Sequence, residues 1–274
     1  FDEILNQAQA NLKTLLNVPD GYKVLFVHGG ASLQFSMIAM NFLRDSGKPA
    51  NYLVTGSWGE KAIKEAKREG VVEVLWAGKE GNYSRTPESG EYTVNPNAAY
   101  LHFTSNETIQ GVQFMNEPEA GQVPLICDAS SDILSRPLDI SKYAMIYAGA
   151  QKNVGPSGVA VVIISDALLA RAAKELHSML DYNVYAENNS VYNTPNTFAI
   201  YMINLTTKWL LQNGGISKMA DVNAKKAAML YEAIDKSGGY YQGHAKVECR
   251  SNMNVTWRMN EELEKEFVSE AKQR

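Results

Sequence analysis

Apolar residues recur at helical spacing over residues 1–17, where Phe1, Ile4, Leu5, Ala8, Leu12, Leu15 and Leu16 share one face. Pro19, Asp20 and Gly21 end that helix. The pattern then changes. Residues 22–27 (YKVLFV), 50–55 (ANYLVT), 71–76 (VVEVLW), 99–104 (AYLHFT), 123–127 (VPLIC), 143–147 (YAMIY) and 159–164 (VAVVII) are short, nearly continuous apolar runs. Such runs are typical of strands buried on both faces. Helical patterns lie between the early ones, at 33–44 and up to residue 69, and most of 166–180 reads as helix. Strand and helix in alternation predict an α/β fold: a mainly parallel sheet covered by helices on both faces.

The polar stretch 78–97 reads as loop. Residues 181–197 (DYNVYAENNSVYNTPNT) have no apolar period and read as a long connection. A helix over 198–212 is broken by Gly214 and Gly215, and a long amphipathic helix follows over 216–236. Residues 246–250 and 254–259 alternate and predict two half-exposed strands. The division this implies is a large domain over 1–212 and a partial, small α+β domain over 213–274. The chain starts at Phe1 already inside a helical pattern and stops inside another, so an internal piece of a longer chain is the expectation.

Composition narrows the function. The chain has 274 residues, 45% hydrophobic and 20% charged, as in an ordinary globular protein. A net charge of −4 suggests no nucleic-acid or anionic-membrane surface. No apolar run reaches the ~18 residues of a membrane span. Cys127 and Cys249 are far apart without metal spacing, so a reducing, cytoplasmic setting is expected. The four histidines form no cluster with cysteine or acid. His102 alternates within a strand, and His177 and His244 read as surface.

The candidate chemistry centres on Lys152, in a small-residue turn between two strand-like runs with no acid beside it. A buried or half-buried amine loses solvation, its pKa falls, and it becomes a nucleophile for carbonyl carbon. A strand-end lysine in water would look the same in sequence. Three other places just after strands bear on the choice. His28-Gly29-Gly30-Ala31-Ser32 joins a strand to a helix, an arrangement that offers backbone N–H groups to an anion, with Ser32 able to cap the helix or bind phosphate. Trp58 stands in Gly56-Ser57-Trp58-Gly59 and could stack on a planar ligand. Asp128 ends a strand, where it could equally be a turn aspartate. An amine, a carboxylate, a flat aromatic and an anion cradle together suit pyridoxal 5'-phosphate. In open α/β sheets these positions fall on the ligand edge.

The segments HGGAS, GSWGEKAIKEAK, SNETIQGVQF, CDASSD, YAGAQKNVGPSGV and VYNTPNTFAIY, in that order, give the chain a clear resemblance to the phosphoserine aminotransferase family of fold-type I pyridoxal-phosphate enzymes. One departure is Asn196, where the family usually has proline. The resemblance implies that Lys152 binds the cofactor's aldehyde as a Schiff base and moves the proton between Cα and C4′. It implies Asp128 on the pyridinium nitrogen, Trp58 on the ring and Thr108 near the phenolic oxygen. It gives Ala31, Ser32 and Gln151 to the phosphate. Asn193 and Thr194 would reach the phosphate of the neighbouring subunit in a homodimer. The implied reaction passes an amino group from L-glutamate to 3-phosphohydroxypyruvate, in serine synthesis and often also in vitamin B6 synthesis. The family's substrate-binding His and Arg groups correspond to positions before the start and after the end of this chain. The alternatives are another fold-type I pyridoxal-phosphate enzyme, or a cofactor-binding fragment without turnover.

Overall fold

The computed structural model describes residues 1–274. In chain order the elements are α1 (Asp2–Leu16), β1 (Tyr22–His28), α2 (Ala31–Phe42), β2 (Ala50–Val54), α3 (Ser57–Ala66) and β3 (Val72–Ala77), then β4 (Leu101–Thr104), β5 (Asn106–Glu107), β6 (Val112–Gln113), β7 (Leu125–Asp128), β8 (Met145–Gly149) and β9 (Val159–Ser165). They continue as α4 (Asp166–Leu169), α5 (Tyr182–Glu187), α6 (Thr197–Gln212), α7 (Gly215–Asp235), β10 (Gln242–Gly243), β11 (Trp257–Arg258) and α8 (Glu261–Gln273).

Seven strands form one sheet in the order β1-β9-β8-β7-β4-β2-β3. All pairings from β8 to β3 are parallel, and β9 alone runs against its neighbours. The continuous apolar runs serve two cores at once, because successive side chains point to opposite faces. On β9, Val159, Val161 and Ile163 join the core beneath α1 and α6, while Val162 and Ile164 join the core on the other face, with Phe35, Ile38 and Phe42 of α2. On β1, Val24 and Phe26 divide from Leu25 and Val27 in the same way. The expected α/β layering is therefore present.

Five local expectations are not met. The run at 71–76 forms the sheet's edge, half exposed rather than buried, with Glu73 taking Asn51 and Asn95 amides on its carboxylate. Only Asp166–Leu169 of the region 166–180 is α-helical. Tertiary bonds draw the chain away: the Arg171 guanidinium donates to the Ala99 carbonyl at 2.9 Å, and the Ala173 N–H donates to the Asn41 carbonyl at 2.7 Å. The connection at 181–197 instead contains α5, whose Tyr182 and Tyr185 are buried. Tyr182 stacks on Phe42 and donates to Gln34 Oε1 at 2.7 Å, a fit no periodicity reveals. Residues 246–250 form no strand: Val247–Cys249 is a 3₁₀ turn with Cys249 buried, taking bonds from Thr86. His244 is half-buried with an unpartnered Nε2, rather than at the surface. No helix is long and apolar enough to cross a membrane.

Candidate active site

The C-terminal ends of β1, β2, β4, β7 and β8 share one edge of the sheet. The register places Asp128, last residue of central β7, beside Thr104 and Tyr147. Asp128 is buried, and its Oδ1 accepts from the Ser130 N–H at 2.9 Å and the Ser130 hydroxyl at 2.6 Å. This is a turn aspartate's local bond, so the plain turn reading of Asp128 is realised. It occupies one oxygen; Oδ2 accepts no hydrogen bond from the protein. The Ser130 hydroxyl also accepts from the Gly149 N–H at 3.0 Å and ties β7 to β8. Burial raises the Asp128 pKa, the Ser130 bonds and Lys152 oppose that rise, and nearby Asp132 adds to it.

Lys152 lies in the turn after β8. Its Nζ donates to Thr108 Oγ1 at 2.6 Å and lies 4.6 Å from the Trp58 ring centroid. Taken whole, the residue is exposed, while its amine end is partly withdrawn from water. Loss of water lowers the Lys152 pKa against the pull of Asp128, Glu107 and Asp132, and Lys61 lowers it further. Trp58, second residue of α3, is half-buried, and its indole N–H is enclosed without a partner.

The anion loop is tighter than its sequence suggests. Gly29 has φ of +86°, a conformation that favours glycine. Gly30 is the N-cap of α2 and no side chain caps the helix, so Ser32 lies inside the first turn instead of capping it. The uncapped N–H groups of this twelve-residue helix are free to meet an anion. Gly149 closes the cradle: a Cβ there would stand 3.2 Å from the Ala31 nitrogen and 2.9 Å from Gln151 Oε1. Asn193 and Thr194 are exposed, and Asn193 Oδ1 lies 3.0 Å from His28 Nε2 of its own chain, at the rim of this loop.

Lys152, Thr108, Trp58 and Asp128 are thus brought together, with Ala31, Ser32 and Gln151 at the neighbouring helix start. Three nearby residues carry no role in the sequence reading: Ser130, Asp132 and Glu107. A serine two positions after a strand-end aspartate was a legible turn signal. Nothing in sequence marked Asp132, which takes Gln113 and Ser105, or Glu107, whose partners lie on α3. This donor set fits pyridoxal phosphate: an amine with lowered pKa, an aromatic face beside it, a buried carboxylate with an open oxygen, and an uncapped helix start walled by glycine. Two clefts, of about 610 and 750 Å³, include none of Lys152, Trp58 and Asp128. Residue chemistry rather than concavity marks this site.

Comparison with known proteins agrees. The family model for class-V aminotransferases matches residues 1–271. A phosphoserine aminotransferase of Niallia circulans is 53% identical over 274 residues, covering 100% of this chain and 75% of its own length. The solved phosphoserine aminotransferase of Bacillus circulans subsp. alkalophilus superposes with a TM-score of 0.96 at 53% identity, over 99% of this chain and 75% of that one. A phosphoserine aminotransferase from Trichomonas vaginalis, solved with pyridoxal phosphate bound, gives 0.92 at 38% identity over 100% and 78%. Fold, site and these likenesses converge: the chain belongs to the class-V aminotransferase family and, within it, to the phosphoserine aminotransferases.

Proposed function

We propose that this chain works as a pyridoxal-phosphate-dependent aminotransferase that moves the amino group of L-glutamate to 3-phosphohydroxypyruvate, giving O-phospho-L-serine and 2-oxoglutarate. The observation that carries the reading is the Lys152 amine, its pKa lowered by lost solvation, held on Thr108 against the face of Trp58. When bound, the cofactor supplies an aldehyde for the amine and a ring that accepts electrons from the substrate's Cα.

The chain's own residues do the rest. Asp128 Oδ2 would hold the ring N–H, and Ser130 keeps Asp128 aimed by holding Oδ1. Burial makes that contact stronger than it would be in water. Trp58 covers one face of the ring and excludes water. The Ala31 N–H, Ser32 and Gln151 take the phosphate. Lys152 Nζ would serve as the base at the substrate's Cα, with Thr108 Oγ1 holding the amine in place at 2.6 Å.

Asn193 and Thr194 act across a homodimer, on the neighbouring subunit's phosphate. An exposed apolar row on α6, Phe198, Tyr201, Leu205 and Trp209 at spacings of three and four, supports a second copy packing there. The division near residue 213, cytoplasmic location and a further role in vitamin B6 synthesis complete the reading.

Lys152→Ala tests it. The parent develops visible absorbance with pyridoxal phosphate and loses it on adding glutamate; the variant does neither. Parent absorbance that ignores glutamate refutes turnover, and an unchanged Lys152→Ala spectrum refutes the cofactor assignment. For the shared site, mixing Lys152→Ala subunits with Asn193→Ala/Thr194→Ala subunits restores activity, because hybrid dimers contain one intact site. No recovery despite subunit exchange refutes the sharing.

A further inference from the structure

Glu107 is fully buried, yet it has no cationic partner on its carboxylate. Buried carboxylates are costly and are normally paired with a cation. Glu107 takes backbone N–H groups instead. Its Oε1 accepts from Gly59 at 2.9 Å and its Oε2 from Trp58 at 3.1 Å. These are among the first N–H groups of α3, which have no partner within the helix. The helix supplies no side-chain cap of its own at Gly56. Gln110 completes the clamp, donating from Nε2 to Ser57 Oγ at 2.8 Å and accepting the Ser57 N–H at 3.4 Å.

The backbone makes room for this arrangement. A Cβ on Gly56 would stand 2.5 Å from Glu107 Cδ and 2.6 Å from Gln110 Oε1. Burial and Asp128 push the Glu107 acid up to about 7, in spite of the two N–H bonds and Lys152. Burial therefore disfavours the charged form of Glu107, while the two N–H bonds and Lys152 favour it. The next residue, Thr108, accepts the Lys152 amine. Two consecutive residues therefore fix two groups: Glu107 holds the backbone of Trp58, and Thr108 holds Nζ of Lys152. The ring centroid and that nitrogen are 4.6 Å apart.

We infer that Glu107 is a positioning residue, clamping the first turn of α3 so that Trp58 stands at a fixed distance from the Lys152 amine. The inference rests on the reading above, in which Trp58 and Lys152 hold the cofactor. Glu107 acts through Trp58 and touches no reacting atom.

A double-mutant cycle tests it. Pyridoxal phosphate affinity is read from the absorbance of the lysine-bound cofactor in the parent, Glu107→Gln, Trp58→Ala and the double variant. Glutamine preserves size but turns an NH₂ group toward a backbone N–H, so one clamp bond is lost. We expect each single variant to bind about tenfold more weakly, the scale of one aromatic contact. The double variant should lose at least threefold less than the product of the single losses. A buried group that merely stabilises the fold would show no such coupling. Glu107→Gln affinity equal to the parent's overturns the inference, as does a double-variant loss that reaches the product. Should Glu107→Gln not fold, Glu107→Asp keeps both acceptors one methylene short, and the same criteria apply. Failure of the underlying reading looks different: the parent itself then shows no cofactor absorbance.

Discussion

Lowering the pH from 7 to 5 should destabilise the fold through His102. The ring is 1% exposed in β4, between Tyr52 and Tyr147. Its Nε2 lies 2.8 Å from the Tyr147 hydroxyl, and its Nδ1 has no partner. No acid faces it, and burial pushes its pKa down to about 3. In the unfolded chain a histidine titrates near 6.5. The unfolded state therefore binds the proton first, so stability is present above about pH 6.5 and is lost as pH falls toward 3. At about 1.36 kcal/mol per unit, the loss between pH 7 and 5 is about 2 kcal/mol. Glu107 works in the opposite direction over the same window, since its folded-state acid is raised to about 7. Comparison with His102→Gln cancels that contribution, because Glu107 is present in both proteins. The assay is urea unfolding of the cofactor-free parent and variant at both pH values. The variant should be less stable at pH 7, having lost a well-packed ring, and the gap should narrow by about 2 kcal/mol at pH 5. An equal gap at the two pH values refutes the account of a neutral, buried His102.

Asp128→Asn should still bind pyridoxal phosphate but turn over about a hundredfold more slowly, the scale for losing one preorganised electrostatic contact; kcat within a factor of about two of the parent would remove Asp128 from its role. Gly56→Ala forces a methyl into the Glu107 carboxyl and should cost about 1–3 kcal/mol in urea unfolding, with weaker cofactor binding. Parent-like stability would mean that the 56–59 turn yields freely. Tyr182→Phe strands the buried Gln34 carboxamide and should cost about 1–3 kcal/mol, and a loss under about 0.5 kcal/mol would show that the amide finds another partner.

Much of this molecule was legible in the residues. Continuous apolar runs announced a sheet buried on both faces, and the two cores that share β9 and β1 account for those runs. Lys152, Asp128 and Trp58 stood out because each sits at or just past a strand-like run, where an α/β sheet presents its ligand edge, and the family resemblance added Thr108. Local sequence failed where long-range bonds decide. The region 166–180 has helical composition, yet Ala99 and Asn41 carbonyls draw it out of helix. Tyr182 and Tyr185 looked like loop residues until α2 supplied a surface to pack on.

The order of residues supplies the inventory: which side chains can serve as amine, acid, aromatic face and anion cradle. Their spacing and state come from the folded arrangement. Lys152 Nζ meets Thr108, 44 positions away, and Glu107 reaches Trp58, 49 positions away. Burial, which exists only once the sheet and helices close together, then lowers the pKa of the amine and raises those of Asp128 and Glu107. Residue identity sets what a group can do; distance and solvation, both products of the fold, set whether it does it.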